Sequence, residues 1–113
     1  MTPAIYEVNL TLTPEISQDY DRFLETHIPE VLAASGFSHA ERWEVSPART
    51  DAVCWVIHYH AESRAQIEAY LQNHAPRLRA DAVQRFGNRF QAERRILVRS
   101  ESKLPRNLRT FQN

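Results

Sequence analysis

His58 and His60 stand two residues apart in the run A-V-C-W-V-I-H-Y-H at 52–60. On a strand that spacing puts both imidazoles on one face, their roots roughly 6–7 Å apart, close enough to hold one metal ion. Glu7, in a second apolar run, would supply a third ligand if the two strands were neighbours. No H-E-x-x-H, no Cys-x-x-Cys and no third histidine at fixed spacing supports this. The plainer expectation is that these histidines hydrogen-bond to Glu7 or Glu44 at a subunit interface, so neither a metal nor a cofactor is expected. Cys54 cannot join them, because four residues along a strand place it about 13 Å from His58. That also removes a Cys–His nucleophile pair.

His27 is the other imidazole of interest. It lies on the apolar stripe of a helix carrying Ile16, Tyr20, Phe23, Leu24, Ile28, Val31 and Leu32, away from the wet face of Asp21, Arg22 and Glu25. There it would point at the sheet, toward Tyr6, Trp55 and Tyr59, and those four residues are the expected ligand pocket. A neutral histidine so placed is a candidate general base on an enolisable or phenolic ligand. A core histidine satisfied by a tyrosine hydroxyl would leave the same pattern. His74 and Arg77 flank Pro76 at a helix junction, where they would clamp a carboxylate or phosphate at the pocket mouth. Capping contacts at a helix end would look identical. With two glycines in the chain, a glycine-rich phosphate loop is excluded.

The elements that position these groups follow from periodicity. Residues 4–12 alternate, with Tyr6, Val8, Leu10 and Leu12 on one face and Ile5, Glu7, Asn9 and Thr11 on the other. Thr13-Pro14-Glu15 reads as a helix start capped by Thr13. Pro29 is expected to kink or interrupt that helix near 26–28, and Ser35-Gly36 to end it. Residues 37–45 form a polar edge strand, with His39, Glu41, Trp43 and Val45 in one phase and Ala40, Arg42 and Glu44 in the other. The loop 46–51 leads into the central strand at 52–60. Ser63 and Gln66 make a capping box for the next helix, which Ala75-Pro76 should restart or kink before a Gly87 cap. Residues 90–98 are the last strand, with Phe90, Ala92, Ile96 and Val98 in one phase.

The order β-α-β-β-α-β is the ferredoxin-like α+β arrangement, an antiparallel sheet with helices on one face and the first and third strands central. The bare face would carry Glu7, Asn9, Arg42, Glu44, Cys54, Val56, His58 and His60, and burying Val56 and its neighbours calls for a homodimer formed through that face. Residues 1–99 make one domain. Residues 100–113 are a polar, basic tail with Lys103, Arg106 and Arg109, in which Leu104, Leu108 and Phe111 recur at helical spacing. Either a frayed tail or a short helix docked on a partner fits.

Composition sets outer limits. The charged fraction of 25% and hydrophobic fraction of 42% are those of an ordinary globular domain. The formal net charge is zero. Its distribution is uneven: residues 1–76 hold four basic and eleven acidic side chains, and residues 77–113 hold ten and three. Such a division marks either an anion-binding tail or, the preferred reading, mutual neutralisation within the fold or across a dimer. No apolar run approaches the roughly 20 residues of a membrane span. The start M-T-P-A-I-Y-E-V lacks the pattern of a secretory signal, and the single cysteine excludes an internal disulfide. A cytoplasmic location is expected.

Several phrases carry a resemblance: I-Y-E-V at 5–8, H-I-P-E-V-L at 27–32 with G-F at 36–37, H-A-P-R-L-R-A-D-A-V-Q-R-F-G-N-R-F at 74–90, and R-R-I-L at 94–97. Over about residues 4–98 the chain resembles a family of short, uncharacterised bacterial proteins, a domain of unknown function. That family is similar to the dimeric α+β barrel group, which includes small antibiotic-biosynthesis-type monooxygenases. The resemblance implies the fold and a dimer and adds almost nothing to the chemistry, so two functions remain. One is a ligand-binding or interaction module taking a small aromatic or anionic ligand. The other is a monooxygenase-like enzyme acting on a small aromatic substrate between helices and sheet, with His27 as base. Fold alone does not choose between them. Some relatives in the group use an Asn–Trp–His set on haem, for which Asn9, Trp55 and His74 would be the counterparts. Strand phase separates Asn9 from Trp55, so no haem site is expected. I-Y-E-V-N-L at 5–10 also resembles the first short motif of RNA-recognition domains, whose aromatic must face outward to stack a base. Tyr6 is in register with the core face, so nucleic-acid binding is not expected.

Overall fold

The two most apolar runs pair with each other and set the sheet. In the computed structural model, which describes residues 2–100, β1 (Ala4–Leu12) and β3 (Val53–Ala61) run antiparallel. Tyr6 opposes Tyr59, Val8 opposes Ile57 and Leu10 opposes Trp55. β2 (His39–Glu44) pairs with the outer edge of β3, and β4 (Phe90–Val98) with that of β1, giving the order β2-β3-β1-β4. The first and third strands are central, and all pairings are antiparallel. This is the ferredoxin-like α+β fold. The readings made of the tail beyond residue 100 lie outside the described residues.

Directly opposed residues share a sheet face, and the register corrects one expectation. Ala40, Arg42 and Glu44 oppose Tyr59, Ile57 and Trp55, which puts them on the helix-covered side. His39, Glu41 and Trp43 therefore occupy the bare face, which Arg42 and Glu44 were expected to share. The alternation within 37–45 was right, but the phase that carries Trp43, the more apolar of the two, is the one that faces away from the helices. Arg42 uses its position to pair with Asp21 at 2.5 Å and to lie over the Trp55 ring at 4.5 Å. The strand is also shorter than expected. Phe37 leaves the edge and buries its ring beside Tyr6, Tyr59 and Tyr70.

Three helices cover the other face. α1 (Ser17–Ser35) follows a single 3-10 turn at Pro14–Ile16. Thr13 does not cap it. Its Oγ1 is buried without a partner, and its backbone N–H donates to the Arg89 carbonyl at 3.0 Å, tying the end of β1 to the approach to β4. Pro29 does not interrupt α1 either. It sits on the wet side with Glu25, so the carbonyl that loses its partner can turn to water. Phe23 and Leu24 on one side and Val31 on the other are buried against the sheet and hold both halves in line. Gly36, at φ +67°, closes the helix by donating to the Leu32 carbonyl, a backbone region that residues with a Cβ enter at a cost.

α2 (Arg64–Asn73) and α3 (Ala75–Phe86) meet at His74, with Pro76 in the first turn of α3. The Ser63 hydroxyl accepts from Gln66 N at 3.3 Å. The Gln66 side chain reaches further than a capping box requires. It accepts from Glu62 N at 2.8 Å and donates to the carbonyls of Ser35 and Gly36, stapling the start of α2 to the end of α1. Ile67, Tyr70, Leu78, Ala82 and Phe86 then close the core over the sheet.

Candidate functional site

Between α1, α3 and the sheet the packing leaves a cavity of about 30 Å³, opening into a cleft of about 430 Å³ when space out to its mouth is included. Strand register supplies its floor: Tyr6 and Val8 from β1, Tyr59 and Ile57 from β3, and Arg94 from β4 opposite Val8. α1 contributes Tyr20 and His27, α2 Tyr70, and α3 Arg79. The walls are apolar in their bulk and ringed by four phenols, one imidazole and two guanidinium groups.

His27 stacks on Phe23 with ring centroids 4.8 Å apart. Burial pushes its pKa down, Glu30 and Asp81 pull it back up, and Arg94 adds to the lowering. The imidazole is therefore neutral at pH 7. Burial raises the hydroxyls of Tyr20 and Tyr70 to about 12 and that of Tyr59 further. All three are donors, not phenolates, at neutral pH. Arg79 donates from Nη2 to the Tyr6 hydroxyl at 3.2 Å, while its Nε is buried without a partner. Neither Arg79 nor Arg94 forms an ion pair among the described residues.

Of the residues singled out in the sequence, the cavity brings together Tyr6, His27 and Tyr59. Trp55 is not among its walls. It shares their sheet face but lies two strand positions beyond Ile57, where it packs under Arg42 and lines a separate cleft with Val45, Ala48 and Cys54. His74 and Arg77 stay at the helix junction, with the Arg77 guanidinium donating to His74 Nδ1 at 3.3 Å. That is a helix-end contact beside Tyr70. Asn9 and Trp55 are on opposite faces, so Asn9, Trp55 and His74 do not converge. Tyr6 is 3% exposed, leaving no ring face for a base. The cavity has room for one or two waters, so an aromatic ring would enter only if the helices parted.

Sequence reasoning missed Tyr20, Tyr70, Arg79 and Arg94 as wall residues. Arg94 was legible: it holds the inward phase of the last strand, with Ala92 before it and Ile96 after. Charge made it read as surface. Arg79 carried no signal, because helix pattern alone does not reveal a guanidinium folded back over a tyrosine.

The bare sheet face holds a second set of polar groups. Glu7 is buried there and accepts from Asn9 Nδ2 at 2.9 Å, His58 Nε2 at 2.7 Å and Arg95 Nε. Burial alone would raise its carboxyl. The hydrogen bonds from Arg95, Asn9 and His58 outweigh it and hold the group at about 2. His60 does not turn to Glu44. Its Nε2 donates to Glu41 at 2.6 Å, and that bond holds the Glu41 carboxyl below its ordinary range. His58 and His60 thus serve different carboxylates and do not converge on one point.

The model of a domain of unknown function, DUF4286, matches residues 3–100, and the chain belongs to that family. No curated protein matches the sequence significantly. Among solved structures, a dimeric ferredoxin-like protein from an uncultured marine organism is 12% identical with a TM-score of 0.64, over 90% of this chain and 99% of that one. Rv0793 from Mycobacterium tuberculosis is 15% identical with a TM-score of 0.63, covering 91% and 100%. A protein of unknown function from Nitrosomonas europaea is 18% identical with a TM-score of 0.62, covering 93% and 96%. At these identities the likeness is one of fold. No helix among the described residues is long and apolar enough to cross a membrane.

Proposed function

We propose that this member of the family is a homodimeric, cytoplasmic binding module that takes a small anion, a carboxylate or phosphate group, into the cavity between helices and sheet. Arg79 carries the reading. A guanidinium Nε sealed from water with nothing to donate to is a costly arrangement, and a turn of the Arg79 side chain toward an anion in the cavity it lines would supply the missing acceptor. Arg94 stands at the same cavity to share the charge, and the tyrosine hydroxyls and neutral His27 complete a donor-rich lining. Paired guanidinium groups suit carboxylate and phosphate geometry.

Support for a dimer comes from the bare face, where Trp43 is 51% exposed beside Val56, with Ile5 and Leu97 paired at the other end of the strands, and from the marine relative described as dimeric. The free thiol of Cys54, half-buried in β3, suits a reducing compartment. Titration of the protein with formate, acetate and inorganic phosphate, at constant ionic strength against chloride, tests the binding reading. Saturable heat or a melting-temperature rise is expected with at least one anion. It should be lost in Arg79→Met, and His27→Ala should weaken carboxylate binding without changing the oligomeric state. No response beyond chloride, or an undiminished response in Arg79→Met, refutes the site.

A further inference from the structure

We propose that His39, Glu41 and His60 form a binding site for a borderline divalent transition metal, Zn²⁺ foremost. The three come from adjacent strands. His39 opposes His60 in register, and Glu41 is the next residue of β2 on the same face. One donor atom from each lies within 4.8 Å of the other two. Donors bound to one tetrahedral ion at about 2.0–2.2 Å stand roughly 3.4 Å apart. The His39 and His60 rings stack with centroids 4.0 Å and planes 9° apart, so binding one ion turns at least one imidazole out of the stack to aim both in-plane lone pairs at it. His60 Nε2 already sits 2.6 Å from Glu41 Oε1, where a shared proton occupies the place an ion would take.

Ser38 Oγ lies 3.0 Å from His39 Nδ1; in the tautomer that donates from Nδ1 to this oxygen, Nε2 carries the lone pair that a metal requires. Two imidazoles and one carboxylate suit zinc, cobalt or nickel better than calcium or magnesium, which prefer all-oxygen sets. Three protein ligands leave a fourth position for water. His39 is exposed at the start of an edge strand, so an ion has a path in. His58, committed to Glu7, lies outside the set.

Untagged full-length protein, dialysed against Zn²⁺ or Co²⁺, is analysed for bound metal by mass spectrometry and for affinity by calorimetry. One ion per chain is expected, with Co²⁺ giving the visible absorption of four-coordinate geometry. His39→Asn and Glu41→Gln should each weaken binding at least about tenfold, while His58→Asn leaves it unchanged. Far-UV circular dichroism verifies that each variant folds. Wild-type protein that retains no metal overturns the site. So does a His39→Asn titration matching wild type, or binding lost in His58→Asn alone.

Discussion

Replacing Glu7 by Gln removes one negative charge from the middle of the bare sheet face while keeping the side chain's shape. The carboxyl sits at about 2 in the fold against an ordinary value of 4.5. At about 1.4 kcal/mol per pH unit, that gap is worth ~3 kcal/mol at most. Glu7's side chain is only 6% exposed, but Arg95's is 68% exposed. Water therefore screens much of that pair, and about 1–2 kcal/mol is the expected loss at pH 7. The sign follows from proton counting. Between pH 4.5 and 2 the unfolded chain holds the proton that the folded chain refuses, so stability falls as acid is added through that window and is fully present above it. Urea unfolding at fixed protein concentration, from pH 7 to pH 2.5, reads the effect. The Glu7→Gln variant should be less stable at pH 7, and the two curves should converge by pH 2.5. Parallel curves across the window would show that the network around Glu7 adds nothing to the fold.

His27 gives the opposite chemistry with the same direction. Burial lowers its pKa below 6.5, so below pH 6.5 the unfolded chain takes up a proton first and the fold loses stability until the folded value is passed. His27→Gln should flatten the urea midpoint between pH 7 and 5, and an unchanged slope there would mean that the imidazole is not held neutral by its surroundings. Val56→Lys places a charge at the centre of the bare face and should convert a dimer to a monomer in light scattering, with far-UV circular dichroism unchanged. A variant that remains dimeric puts the interface elsewhere on the molecule.

The sheet was legible because two of its strands are apolar with a period of two, and a one-residue slip would bury charges. The edge strand was not, because its hydrophobic contrast, Trp43 and Val45 against Ala40, Arg42 and Glu44, points away from the core. Only the register with β3, set from the other side by β1, decides it. α1 illustrates tertiary override. Pro29 argues locally for a break, and burial of Phe23, Leu24 and Val31 on either side of it outweighs one lost hydrogen bond. The cavity was half legible. Tyr6, His27 and Tyr59 follow from period and face, whereas excluding Trp55 depends on how far along the strand the helices reach. Arg79 and Arg94 were hidden because a charged side chain reads as solvated until its surroundings are known.

The polar groups on the bare face bear on whether it can be covered at all. A sheet face carrying Glu7, Glu41, His58, His60 and Arg95 resembles a surface meant for water, and covering unpaired charges would cost several kcal/mol each. Here two of the three carboxylates are matched before any partner arrives: Glu7 is held by Arg95, Asn9 and His58, and Glu41 by His60, while Glu93, opposite Asn9 on β4, stays exposed to water. Glu7 is already buried in the single chain, so its desolvation is met by its own strand neighbours. A second sheet laid over the Glu7 side of this face would then gain the area of Trp43, Val56 and Ile5 without stranding Glu7 or Glu41, provided Glu93 at the β4 edge keeps its water or meets a cation of the partner. The same matching explains why Glu7→Gln and Val56→Lys should act differently. The first weakens the fold and leaves the face coverable, while the second leaves the fold and makes the face costly to cover. A Glu7→Gln protein that is monomeric yet as stable as wild type would reverse that assignment and make the carboxylate an interface residue first.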